Sequence, residues 1–460
     1  MRIVRHSIAI LTAALLWGCS GESYPGLEYT RESGGEAHNE EGSDNPGLGM
    51  PVLVFASQQS FFTATAEATR GAGAFDTPSE NRADSNRYEK SLFYIYAFRD
   101  TPDDAGPLTY KPDFSRRSSD TGDANANCLI DGPDFLLGMP AHLAKERTGE
   151  FKMLRSDLRR DTTMTYSDRF ADIGYNFFAY YIDDFVPTSA NAHRSSEEVV
   201  YNIDIDGARD IMFGHSRPLT PAELDSSYAH IELTEEQRNK VLNIGNYSNF
   251  ASYMGINPVV EMRHAMTRLR FLAYPADISA DDVTITGIDI FARKEAQLRV
   301  AAYDLRDVEI LFSEERDTIR LGEADPTKTL PDSVGLYPYG PLSPEYNTVH
   351  WDPSFADRPW TENPPLRIGG DLLVAPDTTY VMVLHYCQNL DRGRKRYLLG
   401  KFTINAPRIP LNYDAETDTY WYQPGYIYNI RIGVYGMRPV VINVEGDHWI
   451  EGEEIEIPPD

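Results

Sequence analysis

Apolar residues recur in short runs along this chain of 460 residues, either alternating with polar ones or filling both faces. The run 92–98 is apolar on both faces, which is typical of a strand covered on both sides of a sheet, and 175–181 is a further strand candidate. From residue 258 onward, strand-like runs follow one another closely, at 259–262, 269–274, 283–292, 380–386, 397–404, 426–432 and 440–444. The pattern predicts a mainly β protein with antiparallel sheets.

Two short helices interrupt this β pattern. Thr220 is followed by Pro221 and Glu223, and Thr234 is followed three positions later by Gln237. A threonine with an acidic or amide residue three positions on is the signature of a capping box, and proline fits the first helical turn. We expect these helices to be short insertions in a β framework.

The chain divides into segments of different composition. Residues 20–50 are polar, acidic and rich in Gly and Ser, which predicts a flexible tether. We assign residues 51–251 and 258–460 to an N-terminal and a C-terminal β-sandwich domain, joined near 252–258. The Pro- and Gly-rich stretch 325–376 predicts surface loops.

The first nineteen residues have the form of an export signal. Arg2 and Arg5 precede an apolar run at 8–17 that is too short to span a bilayer, and the run ends at Gly18 and Cys19. This order resembles a bacterial lipoprotein signal with its lipobox. The resemblance implies that Cys19 becomes the acylated mature N-terminus of an outer-membrane lipoprotein; the alternative is an ordinary secretory peptide.

Charge and cysteine content narrow the classes of function. The 70 Asp and Glu residues outnumber the 43 Lys and Arg residues, giving a net charge of -27. This charge argues against nucleic acid as a partner, because phosphates require a basic face. Besides Cys19 there are only Cys128 and Cys387; two buried free thiols are favoured over a disulfide. No zinc spacing is present, and we predict no cofactor or metal.

One histidine lies in a basic stretch of this acidic chain. His264 is accompanied by Arg263, Arg268 and Arg270, which we interpret as one basic patch. A catalytic role for His264 is the weaker alternative, since no nucleophile motif accompanies it, and a hydrogen-bonded histidine within a sheet is favoured.

Other polar and aromatic residues are open to both functional and structural interpretations. Residues 120–127 space oxygen-bearing side chains as a calcium loop does, but lack its terminal Glu, so a solvated turn is favoured. Two acidic pairs have the form of glycosidase carboxylates, but such pairs are expected by chance in so acidic a chain; they are Asp183 with Asp184 and Asp281 with Asp282. Three tryptophans could stack on sugars but are better explained as packing residues; they are Trp351, Trp360 and Trp421. With no nucleophile elbow, metal set or phosphate loop, we predict that the protein has no catalytic residues and is not an enzyme.

Several segments, in their order along the chain, resemble the fimbrillin family of lipoprotein pilins that build type V pili. These are the lipobox, an apolar strand with an Arg-containing loop, the strand 92–98, the segments 258–271 and 288–298, the run 424–428, and Trp449 near the end. The resemblance implies two transthyretin-like β-sandwiches. It also implies assembly in which a trypsin-like protease cuts after an arginine, the first strand is lost, and a strand from a neighbouring subunit replaces it.

The resemblance assigns roles to particular residues. Arg70, followed by Gly71, fits the cleavage site, with Arg31, Arg82 and Arg87 as alternatives. The displaced strand would contain Val52, Leu53, Val54 and Phe55. Two candidate donor strands remain open, one with Val440, Ile442 and Val444 and the other with Ile455 and Ile457.

The expected function is that of a structural or accessory fimbrial subunit that contributes to adhesion at the cell surface. It would bind other pilin subunits by β-strand addition and the outer membrane through its lipid. A host glycan or protein would be its adhesion ligand. The alternative is a surface lipoprotein that binds a glycan or protein without polymerising.

Overall fold

The structure is a computed structural model that describes residues 56–57, 92–100, 112–116, 128–130, 136–143, 151–153, 165–166, 173–183, 185–322, 347–390, 394–436 and 441–448. In this part of the chain strands far outnumber helices, and most neighbouring strands are antiparallel. The predicted mainly β fold class is therefore confirmed.

The strands are numbered along the chain. They are β1 (Ala56–Ser57), β2 (Phe93–Asp100), β3 (Cys128–Ile130), β4 (Met139–Leu143), β5 (Phe151–Met153), β6 (Gly174–Ile182), β7 (Ala192–Arg194), β8 (Glu198–Asp204), β9 (Ile211–Ser216), β10 (Tyr247–Ser248), β11 (Val259–His264), β12 (Thr267–Pro275), β13 (Val283–Arg293), β14 (Glu295–Ala302), β15 (Ile310–Phe312), β16 (Arg316–Gly322), β17 (Thr348–Val349), β18 (Leu366–Arg367), β19 (Leu372–Val374), β20 (Thr379–Leu390), β21 (Arg394–Asn405), β22 (Tyr413–Asp414), β23 (Thr419–Tyr420), β24 (Tyr426–Val434) and β25 (Val441–His448).

The first sheet contains nine of the described strands, in the order β1-β11-β9-β6-β2-β4-β5, with β10 beside β6 and β3 beside β2. Side chains of β2 and β6 alternate between two hydrophobic cores. Tyr96 and Phe178 enter the first core, whereas Ile95 and Phe177 enter the second core. Strand β6 is buried along its whole length, which is why its sequence is apolar on both faces.

Three short α-helices cover the first sheet: α1 (Pro221–Ser227), α2 (Glu235–Ile244) and α3 (Asn249–Tyr253). Thr234 and Gln237 form the full capping box that the sequence predicts. Thr220 caps α1 by accepting from the Glu223 amide, but the Glu223 carboxylate accepts from Ser227 instead of completing the box. The helices bury Leu224, Val241 and Ala251 in the second core.

Three further multi-stranded sheets follow in the described part. Their orders are β18-β12-β24-β25 with β19 also beside β12, β16-β13-β20-β21 with β17 also beside β13, and β15-β14-β8-β7; β22 and β23 form a separate pair. Strands β12 and β24 run parallel over eight paired residues. Because β8 pairs with β14, strands from both sides of the predicted joint at 252–258 share a sheet. The division into two transthyretin-like domains stays a prediction.

The stretch 325–376 differs from its prediction over the part that is described. Ile368 and the three residues of β19 are fully buried, and β19 pairs with β12. The interpretation as surface loops is therefore wrong for residues 368–374. A three-residue strand behind a Gly-Gly pair is too short to produce a periodic pattern in the sequence.

Candidate functional site

The strand β1 forms one edge of the first sheet. Ala56 and Ser57 pair in parallel with Val259 and Val260 of β11, and the opposite side of β11 pairs with β9 over five residues. Among the described strands, β11 therefore lies between the two-residue strand β1 and the antiparallel strand β9. Such an edge is where one strand can be exchanged for another with the least loss of backbone pairing.

Strand β11 is held firmly on its inner side. Val260 and Met262 are buried in the second core, while Glu261 and Arg263 point to the other face. Gly214 of β9 lies so close to β11 that an added Cβ would overlap the carbonyl oxygen of Glu261. The acceptor strand of the edge is thus fixed by close backbone packing as well as by buried side chains.

Most residues assigned from the resemblance lie outside the described residues. These are Cys19, Val52, Leu53, Val54, Phe55, Arg70, Gly71, Val440, Ile455 and Ile457. Two donor candidates are described: Ile442 and Val444 belong to β25, which forms the edge of the sheet next to β24. Val444 is half-buried against the first core.

His264 ends β11 in a buried polar network. Its Nδ1 lies 3.1 Å from Oδ1 of Asp210, which is fully buried, and the Asp210 amide donates to Oδ2 of Asp183 at 3.1 Å. Asp183 also accepts from the Tyr181 hydroxyl. The network ties the end of β11 to the loop that precedes β9, which is the structural role that the sequence favours for His264.

The arginines around His264 do not form one patch. Arg263 lies over the ring of Phe213, 4.6 Å from its centroid, and donates to the carbonyl oxygen of Val308 at 3.0 Å. Arg268 is instead buried, with 1% of its surface exposed, and shares one face of β12 with the partly buried Arg270, opposite Leu269, which belongs to the first core. The interpretation as a single basic patch is wrong.

A single carboxylate binds both arginines of β12 and a third arginine. Asp371, fully buried, accepts from Arg268 Nε at 2.6 Å, from Arg367 Nη2 at 2.9 Å and from Arg270 Nε at 3.3 Å. Burial by itself would raise the pKa of Asp371, but the three guanidinium groups outweigh it and lower the pKa to about 2. The cluster joins β12, β18 and the start of β19.

Other residues with candidate chemistry have local structural roles. Asp281, Asp282 and His350 come together, but all three are exposed, and Asp281 accepts from the Trp351 amide. Trp360 packs edge-on against Tyr274, with ring centroids 5.5 Å apart. Asp184 and the calcium-like stretch 120–127 lie outside the described residues.

Cys387 is a buried free thiol, in agreement with the unpaired state that the sequence favours, and the side chain of Cys128 is outside the described part. No helix among the described residues is long and apolar enough to cross a membrane.

Fold and edge define this chain as a mainly β protein whose first sheet ends, among the described strands, at the short strand β1 beside β11. No protein-family model and no curated protein matches the sequence. Among solved structures, it is similar to a proposed cell adhesion protein of Bacteroides uniformis, with 12% identity and a TM-score of 0.39 over 88% of this chain and 100% of the other.

Two other solved structures are similar over comparable lengths. A proposed cell adhesion protein of Bacteroides ovatus has 8% identity and a TM-score of 0.38, covering 88% of this chain and 100% of its own. The fimbrial anchor protein Mfa2 from Porphyromonas gingivalis has 9% identity and a TM-score of 0.30, covering 86% of this chain and 97% of its own.

Replacing Asp371 by Asn tests the buried charge cluster. Asp371→Asn leaves three guanidinium groups without their counter-charge, so we expect the free energy of unfolding at pH 7 to fall by about 3–5 kcal/mol. Asp225→Asn is the control, because it removes an exposed carboxylate paired with Arg238 and should cost less than about 1 kcal/mol. Urea unfolding followed by circular dichroism measures both.

We also expect the free energy of unfolding to depend on pH differently in wild type and in Asp371→Asn. The folded-state pKa of Asp371 lies below its ordinary value of 3.8, so its stabilisation is complete above that value and is lost as the pH falls towards about 2. The loss amounts to about 2 kcal/mol. We expect Asp371→Asn to lack this component between about pH 5 and pH 2, whereas equal profiles for wild type and variant would contradict the cluster's role.

Proposed function

We propose that this protein is a subunit of a cell-surface fimbria, exported as a lipoprotein through Cys19 and assembled by strand exchange. In this proposal a protease cuts after Arg70 and frees the segment that contains Val52, Leu53, Val54 and Phe55. A C-terminal strand from another copy or from a related pilin then takes its place. The role is adhesive and structural, without catalysis.

The position of β1 is the observation that supports this proposal most directly. The residues Ala56 and Ser57 directly follow the segment proposed for displacement, and they pair with β11 at the sheet edge. If β1 leaves, the outward N–H and C=O groups of β11 lose their partners, while β9 and the core still hold β11 in place. Any extended strand can restore that backbone pairing, because the pairing does not depend on particular side chains.

The two donor candidates differ in what their donation requires. Strand β25 pairs with β24 over eight residues of its own chain, so its donation would first break that pairing. The segment with Ile455 and Ile457 follows β25 along the chain, and its use leaves β25 in place. Its isoleucines alternate with Glu454 and Glu456, so both can face an apolar groove while the glutamates face water.

The lipid anchor has its own test. A multiply acylated Cys19 binds a bilayer firmly, since each buried methylene contributes about 0.8 kcal/mol. We therefore expect Cys19→Ala to move the protein from the membrane fraction to the soluble fraction, as seen by fractionation and immunoblotting. An unchanged membrane fraction with normal precursor processing would contradict the anchor.

The strand exchange is tested by limited trypsin treatment of the purified protein. We expect the uncut protein to stay monomeric, because the edge is occupied, and the cut protein to form ladders on a gel. Arg70→Ala should prevent both cleavage and ladders, while Arg31→Ala and Arg82→Ala, at alternative sites, should not.

Two results would contradict the assembly mechanism. Ladders from uncut Arg70→Ala protein would show that polymerisation needs no displaced strand. Clean cleavage after Arg70 with a product that stays monomeric would favour a surface lipoprotein that binds its ligand without polymerising.

A further inference from the structure

Strand β21 is a long edge far along the chain from the β1 border. It pairs with β20 over twelve residues and is the last strand of its sheet in the described part of the chain. Twelve residues is twice the usual length of a strand. Its outward backbone groups therefore form a long row without a strand partner among the described residues.

The side chains of β21 divide sharply between its two faces. Leu398 and Phe402 are half-buried against the first core. Tyr397 and Leu399, on the opposite face, are 71% and 70% exposed. Two large apolar side chains thus stand side by side in water on a strand that the core holds rigidly from behind.

The strand is also basic in a strongly acidic protein. It contains Arg394, Lys395, Arg396 and Lys401 and no acidic residue, whereas the whole chain has a net charge of -27. Arg394, Lys395 and Lys401 are exposed and form no ion pair with the described residues. Asp289, two strands away on the same face as Lys401, is already bound by Arg320 and His385.

We propose that β21 is a docking edge for an extended acidic peptide strand of a partner protein. Such a strand would pair with the backbone edge, place apolar residues beside Tyr397 and Leu399, and place carboxylates beside the flanking cations. The backbone edge, the two exposed apolar side chains and the cations of β21 are thus all complementary to an acidic strand.

Two other occupants fit fewer of the features. A polyanionic glycan would satisfy the cations but leave Leu399 and the backbone edge without partners. A second copy of β21 would set basic residues opposite basic residues, and like charges across a strand pair are destabilising. The charges thus disfavour self-association at this edge and favour an acidic strand.

This docking edge goes beyond the proposed fimbrial function. It belongs to a different sheet from β1 and requires no cleavage after Arg70. Binding at β21 should therefore be equal in uncut wild type and in the Arg70→Ala variant, so that failure of one proposal leaves the other standing.

The test uses the full mature chain and a synthetic peptide in which every second residue reads Glu, Ile, Val and Glu in turn, with Thr between them. One face of this peptide presents two apolar residues flanked by carboxylates, which matches the order of Lys395, Tyr397, Leu399 and Lys401 on one face of β21. Calorimetry should detect binding to wild type. The double variants Lys395→Glu/Lys401→Glu and Tyr397→Thr/Leu399→Thr should each bind at least tenfold more weakly. Threonine is tolerated in strands, so the second variant keeps the β propensity of β21.

Controls separate edge pairing from simple charge attraction. Arg306→Glu/Arg358→Glu changes the net charge equally at exposed sites away from β21 and should bind as wild type does. A peptide N-methylated at every residue keeps its charges but cannot pair, and should not bind. The proposal is overturned if wild type does not bind the peptide, if both β21 variants bind like the control, or if the N-methylated peptide or a heparin fragment binds in place of the unmodified peptide.

Discussion

A fully buried carboxylate is the constraint on which the sheet β18-β12-β24-β25 depends. Asp371 can stay ionised in the core only because Arg268, Arg270 and Arg367 surround it, since an unpaired buried charge costs several kcal/mol. Two of these arginines belong to β12, and the third belongs to β18. Because all three arginines must contact Asp371, β18 and β19 are held beside β12. Strand β12 in turn pairs with β24 at the centre of the sheet.

A buried turn between β11 and β12 connects the first sheet with the sheet β18-β12-β24-β25. After His264 the chain enters the core at Ala265 and Met266, where backbone bonds to Ile211 and Gly425 hold it on both sides. Strand β11 ends at this turn and is therefore anchored, and on its other edge two described residues of β1 pair with it. The proposed strand replacement requires such a fixed acceptor strand.

How much the sequence predicts depends on how local each signal is. The apolar runs of β2 and β6 and the caps at Thr220 and Thr234 are local, and the structure agrees with them apart from the unfinished box of α1. Asp371 and its partner Arg268 are 103 positions apart in the sequence. The sequence therefore predicts a basic patch, because it does not show that the fold places a carboxylate beside these arginines. The pairing of β8 with β14 is equally non-local, because strand periodicity specifies faces but not partners.

The central claim is that the outer edge of β11 is occupied by a strand that can be removed and replaced. Hydrogen exchange of the β11 amides, before and after cleavage following Arg70 and again after adding a peptide with residues 449–460, tests it directly. The account predicts that the amides facing β1 are protected in the intact protein, exchange rapidly once the freed segment is removed, and regain protection with the peptide. Protection that does not change through all three states would contradict it.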